Sequence, residues 1–511
     1  MSFNLATILR ESALTHPDKP MLLMGPLRLT YRQVDVLSGQ VAAGLRAAGL
    51  RRGDSVALQL PNVPQFVLAY FGALKAGLTL VPLNPLLKAP EVAYHLSDSG
   101  AKALITVDAF ADEAVKGAAE AGEVRVYVVA SPGAPADSLP ADTTPFDTLV
   151  ADGEGADPAD VEQMSPEDTA VVIYTSGTTG RPKGAELTHF QAYMAASVAA
   201  ETFAYRDDDV AMAVLPLFHV FGLSSVMNCA VRSAATLVLV PRFEVGAVLD
   251  AMEQHRVTVF CGVPTMFVAL MHADLTGRDV SSLRICVSGG ASIPGEVIKG
   301  FEAAYAATVL EGYGLSETCA VATFNRSAEE RRVMSIGKRL WGCEVRVVDP
   351  DDAPLPTGPD HVGEIVLRGH NIMKGYLGRP EATAEAMRGG WFHTGDLGYQ
   401  DDDGFFYIVD RKKDLVIRGG FNVYPREIEE VLHAHPAVLE AAVIGRPDER
   451  LGEEVVAFVS LKAGASAEPE EVIAFCRERL AAYKYPRQVV VIDELPKGPS
   501  GKVLKTELRS R

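Results

Sequence analysis

Short apolar runs alternate with stretches of helical apolar spacing through most of the chain, and this alternation constrains the fold more than any other feature. Thr30 followed by Gln33 forms a capping-box signal, and Val34, Leu37, Val41 and Leu45 then recur at helical spacing until Gly49 stops the run. Apolar strands are predicted at Val56–Leu60 and Leu78–Val81 with a helix over Pro64–Lys75 between them. Further strands follow at Ala103–Val107, Val124–Val129, Ala170–Thr175, Thr236–Val240, Val257–Gly262 and Leu283–Ser288. Strands separated by helices pair in parallel and need helices on both faces, so the bulk of the chain reads as α/β. The Ala- and Asp-rich stretch Ser131–Glu167 reads as a loose surface connection. After about Val333 the pattern shifts to short strands, among them Cys343–Val348 and Gly363–Leu367, as in a mostly β element. Beyond Asp414, helices at Pro425–His435 and Pro469–Leu480 surround strands at Leu439–Ile444 and Val455–Leu461, giving a compact α+β terminal domain.

Composition narrows the function. The 511 residues are 48% hydrophobic and 22% charged, ordinary globular usage for a chain of at least two compact units. The formal net charge of −18 repels a phosphate polymer, so nucleic acid is a poor partner. Cys229, Cys261, Cys286, Cys319, Cys343 and Cys476 form no CxxC pair and no zinc spacing, and read as small core residues in a reduced compartment. The first residues lack a charged n-region followed by an apolar h-region, which points to a cytoplasmic protein. The stretch Ala211–Val231 contains Pro216, His219, Gly222, Ser224, Ser225 and Asn228, so it reads as a buried segment lining a pocket and not as a transmembrane span. Peripheral contact with a membrane stays open for a lipid substrate, although no strongly basic amphipathic helix supplies the attraction.

The most informative run is Tyr174-Thr175-Ser176-Gly177-Thr178-Thr179-Gly180-Arg181-Pro182-Lys183-Gly184, directly after an apolar strand. Glycines let backbone N–H groups approach an anion, hydroxyls add donors and Lys183 adds charge, so a polyphosphate is the natural ligand. Pro182 stands where a Walker A loop has glycine before its lysine, which excludes that motif.

This run resembles the phosphate loop of the adenylate-forming superfamily: acyl-CoA synthetases, peptide-synthetase adenylation domains and firefly-type luciferases. Further signatures follow in order: Leu215-Pro216-Leu217-Phe218-His219-Val220-Phe221-Gly222, Gly289-Gly290-Ala291, and Glu311-Gly312-Tyr313-Gly314-Leu315-Ser316-Glu317-Thr318. After them come Gly363-Glu364-Ile365, Trp391-Phe392-His393-Thr394-Gly395-Asp396, Asp410-Arg411-Lys412-Lys413-Asp414 and Pro496-Lys497-Gly498-Pro499-Ser500-Gly501-Lys502. The resemblance runs from about Thr30 to Lys505 and is closest to medium- and long-chain fatty acid–CoA ligases. It implies a large N-terminal domain, residues 1–410, of two doubly wound mixed sheets plus a small β-barrel-like element. A hinge at 411–413 and a mobile α+β C-terminal domain at 414–511 complete the expected architecture.

The implied reaction joins a carboxylate to ATP with release of pyrophosphate, then passes the acyl group to coenzyme A. Both steps crowd negative charge, so cations and N–H donors carry them. By resemblance Lys502 supplies a mobile point charge and Glu317 ligates Mg²⁺ with Thr175 as a second contact. Thr175, Ser176, Gly177, Thr178, Thr179, Gly180 and Lys183 cradle phosphates, and Tyr313 stacks on adenine against Gly289, Gly290 and Ala291. Asp396 accepts the ribose hydroxyls and Arg411 closes over the nucleotide. Glu311, Gly312, Gly314, Ser316, Thr318 and Ile408 complete the implied nucleotide set. Lys413 occupies the hinge, about which rotation exchanges Lys502 for Gly419-Gly420-Phe421 at a pantetheine tunnel.

His219, Phe221, Gly222, Cys261, Gly262, Val263, Pro264, Leu315 and Cys319 line the acyl pocket by the same resemblance, and their small or apolar character implies an uncharged tail. Amino-acid-activating relatives carry an Asp where this chain has Val220-Phe221-Gly222, so a substrate ammonium would go unpaired. His219 either orients the carboxylate or is a hydrogen-bonded core histidine. Some long-chain members place a gating tryptophan after this segment, whereas Leu223-Ser224-Ser225-Val226 follows here. Aryl ligases of the coumarate type and ligases loading an acyl carrier protein are the alternative readings. Oligomeric state, including a homodimer, is left open.

Overall fold

The computed structural model describes residues 3–131, 139–175, 181–412, 414–499 and 501–511. Among these, two large mixed sheets form the N-terminal body. Across the first, the strands stand in the order 338–339, 323–324, 308–313, 285–288, 259–262, 210–213, 236–239, 20–24 and 27–30. Across the second the order is 375–376, 183–188, 169–175, 79–82, 55–59, 101–107, 125–129 and 143–145. The interior strand pairs are parallel, both edges of the first sheet and one edge of the second are antiparallel, and the other edge strand, 143–145, pairs in parallel with 125–129.

The elements form where the pattern places them. Thr30 accepts from Gln33 N–H while the Gln33 side chain accepts from Thr30 N–H, starting the helix Tyr31–Ala47. Pro64 opens the helix Pro64–Lys75, whose buried Phe66, Tyr70 and Phe71 lie between the sheets. Two features depart from the expected pattern. The N-terminal helix Thr7–Thr15 and hairpin 20–24/27–30 stand outside the expected elements, and the apolar strand 20–24 gains its place by pairing with 236–239. Within the stretch read as loose, Thr143–Pro145 adds an edge strand and Asp147–Asp152 a helix, pinned by buried Phe146 and Leu149. Gly44 permits that approach, because a Cβ there would stand 2.1 Å from the Leu149 carbonyl oxygen.

The smaller β element is a four-stranded antiparallel sheet of 343–348, 363–369, 392–400 and 406–411. Past it lies the smaller C-terminal domain, where 438–448, 452–461 and the short strands 416–418 and 421–423 pair antiparallel and 488–491 adds in parallel. Helices Pro425–His433 and Pro469–Arg477 cover one face over a core of their own, centred on Val423, Ile428, Leu432, Val443, Val459 and Val472. All six cysteines are free and buried. No helix among the described residues is long and apolar enough to cross a membrane, and Phe221–Asn228 is wholly buried in π-helical turns.

Candidate active site

Four neighbouring parallel strands, 210–213, 259–262, 285–288 and 308–313, end at one edge of the first sheet. The segments that leave their carboxyl ends carry His219 to Gly222, Val263 and Pro264, Gly289 to Ala291, and Gly314 to Thr318. A crevice outside strand carboxyl ends is where open α/β sheets bind ligands, because the loops there splay apart. Asn62 shapes the first of these segments. Its Nδ2 donates to the carbonyls of Ala213 and Leu215, both at 2.9 Å, and its Oδ1 accepts from Leu217 N–H at 2.9 Å. Gly222 is needed where the segment turns into the helix, since a Cβ would stand 2.3 Å from the Pro216 carbonyl oxygen.

Phe221 N–H donates to His219 Nδ1 at 3.2 Å, so the neutral ring carries its hydrogen on Nε2. Burial, with the Lys502 charge nearby, pushes the imidazole down to about 3, which keeps it neutral. Cys261 and Cys319 are buried thiols pushed above their ordinary range, chiefly by burial. Phe221 closes against Gly289, where a Cβ would meet its ring at 3.2 Å.

Glu317 lies in the short turn Ser316–Thr318 beyond the strand 308–313, buried, with Oε1 accepting from the Tyr376 hydroxyl at 2.9 Å. Burial raises its pKa, and the charge of Asp396 adds to the effect. Arg411 opposes that rise and Lys502 also feels the carboxylate, and the buried oxygen donor fits a hard cation. Lys183 stands with its Nζ 5.2 Å from the centre of the Tyr376 ring. Thr175 and Lys183 face each other across the antiparallel strands 169–175 and 183–188, which bracket the phosphate run. Ser176, Gly177, Thr178, Thr179 and Gly180 lie outside the described residues, as does Lys413.

On the opposite side the small β sheet brings Asp396 and Arg411 together as directly paired residues of adjacent strands, Arg411 Nε lying 3.4 Å from Asp396 Oδ1. The Tyr313 hydroxyl donates to Asp396 Oδ2 at 2.6 Å. Glu364 sets this turn, accepting from Gly395 N–H at 3.0 Å while standing 3.3 Å from His393 Nδ1. Asn62, Tyr376 and Glu364 therefore position the site without having been singled out by sequence. Glu364 lies within a quoted motif, whereas Asn62 and Tyr376 carry no local signal, since their roles depend on partners far along the chain.

Lys502 enters from the C-terminal domain. A Cβ on Gly290 would stand 3.0 Å from Lys502 Cε and 3.6 Å from its Nζ, so the lysine lies directly on the glycine turn. Thr265 Oγ1 donates to the Gly501 carbonyl at 3.1 Å and fixes the incoming loop. Burial pushes Lys502 down to about 8, aided by Arg411 and opposed by Asp396 and Glu317. Ile408 is represented by its carbonyl, which accepts from Arg426. Glu311 is buried beneath the turn, Oε1 receiving Ile293 N–H at 3.4 Å, and burial pushes it up to about 7. Gly419, Gly420 and Phe421 are not brought to this crevice: they form an exposed turn, with Phe421 stacked on Tyr483 at 4.8 Å.

The profile of the AMP-binding enzyme family matches residues 9–377, and that of the AMP-binding enzyme C-terminal domain matches residues 427–502. The chain is 38% identical to a long-chain-fatty-acid–CoA ligase of Bacillus subtilis (strain 168), covering 99% of this chain and 94% of the relative. It is 41% identical to a feruloyl-CoA synthase of an Amycolatopsis species, covering 97% and 96% respectively. A crystal structure of the anthranilate CoA ligase AuaEII in complex with anthranoyl-AMP superposes with a TM-score of 0.92 at 29% identity, covering 100% of this chain and 97% of the other. Ordered motifs, fold and full-length similarity agree that the chain belongs to the AMP-binding enzyme family, within the acyl-CoA synthetase branch of the adenylate-forming superfamily.

Proposed function

We propose that this protein activates a carboxylic acid with ATP and transfers the acyl group to coenzyme A. The observation that carries this reading is the convergence of Lys502 from one domain with Glu317, Asp396 and Arg411 from the other around the Gly289–Gly290 turn. A carboxylate oxygen attacks the α-phosphorus of ATP, the bond to the bridging oxygen of pyrophosphate breaks, and an acyl adenylate forms. The CoA sulfur then attacks the acyl carbon, AMP leaves, and the thiol proton passes to solvent.

Each residue has a physical task in the first step. Lys502 offers an ammonium to the crowded oxygens around the α-phosphorus, stabilising charge that grows in the transition state. Asp396 accepts both ribose hydroxyls, with Arg411 and Tyr313 fixing its orientation. His219 presents Nε2–H toward the acid, orienting it without adding charge. Glu317 and Thr175 would hold Mg²⁺, which draws the rest of its shell from phosphate and water and neutralises phosphate charge when bound. Lys183 and the Gly- and Thr-rich residues 176–180 receive the leaving pyrophosphate.

The acid is a medium- or long-chain fatty acid on the apolar lining of His219, Phe221, Cys261, Val263 and Cys319. A hydroxycinnamate-type acid is the second reading. It is favoured by the feruloyl-CoA synthase similarity and by a buried polar pair, Asn228 Nδ2 of the buried segment donating to the hydroxyl of Tyr70 on the helix Pro64–Lys75 at 3.1 Å. For the second step, rotation about Lys413 withdraws Lys502 and brings Gly419-Gly420-Phe421 to the pantetheine arm.

The test is mass-spectrometric detection of acyl-CoA and AMP after incubation with ATP, Mg²⁺, CoA and graded fatty and cinnamate-type acids. A ladder of fatty acyl-CoAs is expected. Only hydroxycinnamoyl esters would select the second reading, acyl adenylate without CoA ester would point to a carrier-protein acceptor, and no AMP with any acid would refute the assignment.

A further inference from the structure

The helix Ala89–Ser99 carries Tyr94 and Asp98 four positions apart, so both belong to one face. That face meets the two stems that bracket the phosphate run. The Tyr174 hydroxyl, on the strand 169–175, donates to Asp98 Oδ2 at 2.8 Å. The Tyr94 hydroxyl donates to the Pro182 carbonyl at 2.6 Å, and the Arg181 guanidinium stands 5.3 Å from the centre of the Tyr94 ring. Tyr174 immediately precedes Thr175, and Pro182 immediately precedes Lys183. Each member of the cross-strand pair Thr175 and Lys183 is therefore held through the residue before it.

The second oxygen of Asp98 is also occupied. Arg379 Nη2 donates to Asp98 Oδ1 at 2.5 Å, and the aspartate side chain is only 10% exposed, so water competes little for this charged pair. Arg379 N–H donates to the Tyr376 carbonyl at 3.0 Å, and the Tyr376 hydroxyl donates to Glu317. The strand 375–376 itself pairs antiparallel with 183–188, two residues beyond Lys183. One aspartate thus connects a stem of the phosphate run to the segment that holds the proposed cation ligand.

We propose that Tyr94 and Asp98 are positioning residues for the phosphate grip: through Pro182 and Tyr174 they set the stems that carry Lys183 and Thr175, and through Arg379 they keep those stems in step with Glu317. Neither residue touches the reacting atoms. Donors and cations that must reorganise when a phosphate arrives lose much of their electrostatic advantage, so the stems have to be held beforehand. Two tyrosine hydroxyls and one carboxylate supply that restraint from outside the run. This rests on the ligase reading above, and the experiment separates the two.

The experiment compares full-length wild type with Tyr94→Phe, Tyr174→Phe, Asp98→Ala and Asp98→Asn. It measures pyrophosphate release from ATP and acid, inhibition of that step by added inorganic pyrophosphate, and CoA ester formation from supplied acyl adenylate. Loss of one hydroxyl should raise KM for ATP about fivefold in each tyrosine variant and weaken inhibition by pyrophosphate in parallel. Asp98→Ala, which removes the acceptor of two bonds, should raise KM for ATP further, and Asp98→Asn, which still accepts from Tyr174, should recover part of that loss. KM for the acid and ester formation from acyl adenylate should stay within about twofold of wild type, because neither involves the leaving phosphates. Where Asp98→Ala does not fold, the two phenylalanine variants, each short of a single oxygen, decide the question. Parallel rises in KM for ATP and for acid, an equal fall in ester formation, or an unchanged KM for ATP overturns the positioning role. A wild type that releases no pyrophosphate with any acid overturns the ligase reading instead.

Discussion

The two sides of the crevice are built by different means. On the N-terminal side Glu317, Asp396 and Glu364 are buried carboxylates fixed by hydrogen bonds to strand and turn residues of the same body, and the apolar core runs continuously beneath them. On the C-terminal side Lys502 arrives in a loop whose parent domain has its own apolar clusters. It joins the larger body through polar contacts such as Thr265 to Gly501 and Arg426 to Met334. Apolar packing would hold the lid shut, whereas hydrogen bonds and ion pairs exchange with water at little net cost. The difference teaches how the proposed mechanism divides its groups: those proposed for both steps are built into the sheets, while the lysine proposed for one step sits in a domain joined through polar contacts.

The sharpest way to break this comparison is Lys502→Ala. Losing one pre-placed charge should lower adenylation by about two to three powers of ten. Ester formation from supplied acyl adenylate should fall far less, and an equal fall in both would give Lys502 a role in both steps. Asp396→Asn attacks the fixed side. It removes the charge paired with Arg411 and weakens acceptance of the ribose hydroxyls, lowering kcat/KM for ATP by about 10- to 100-fold; unchanged ATP dependence would take Asp396 out of the nucleotide site. Lys413→Pro tests movement, because a fixed φ hampers rotation at that residue. Ester formation should slow roughly tenfold while pyrophosphate release is little altered, and normal ester formation would move the hinge elsewhere.

The smallest effect is set by pH. Burial lowers Lys502 from its ordinary 10.5 to about 8, so the cation is present below that value and is lost as pH rises through it. Adenylation kcat/KM should therefore decline above about pH 8, leaving roughly a tenth of the protonated form by about pH 9. Lys502→Arg, which stays charged, should remove that limb from pyrophosphate release measured across pH; a decline unchanged in the variant would assign it to another group.

Much of the fold was legible because its elements are local. Pro64 with the apolar run to Lys75, and Thr30 with Gln33, carry their own start signals, and the structure forms helices at both. The helix Asp147–Asp152 was not legible, since Phe146, Leu149 and Val150 anchor it through tertiary packing, Leu149 meeting Gly44 of a helix over a hundred residues earlier in the chain. The site divides in the same way. Lys502, Glu317 and Asp396 sit in runs that combine glycine with hydroxyl residues and Arg411 in a run of charges, whereas Asn62 and Tyr376, although flanked by proline or glycine, act through partners far along the chain.

By itself the sequence determined the α/β alternation, the change of pattern near Asp414 and the order of the chemical groups along the chain, because periodicity, turn residues and charge act over a few positions. Only the tertiary structure decided that four strand ends share one edge, that Asn62 holds the segment bearing His219, and that Thr265 of the larger body holds the loop bearing Lys502. Those are meetings of residues far apart in sequence, fixed by the burial of whole sheets and by hydrogen bonds that exist only once the chain has folded.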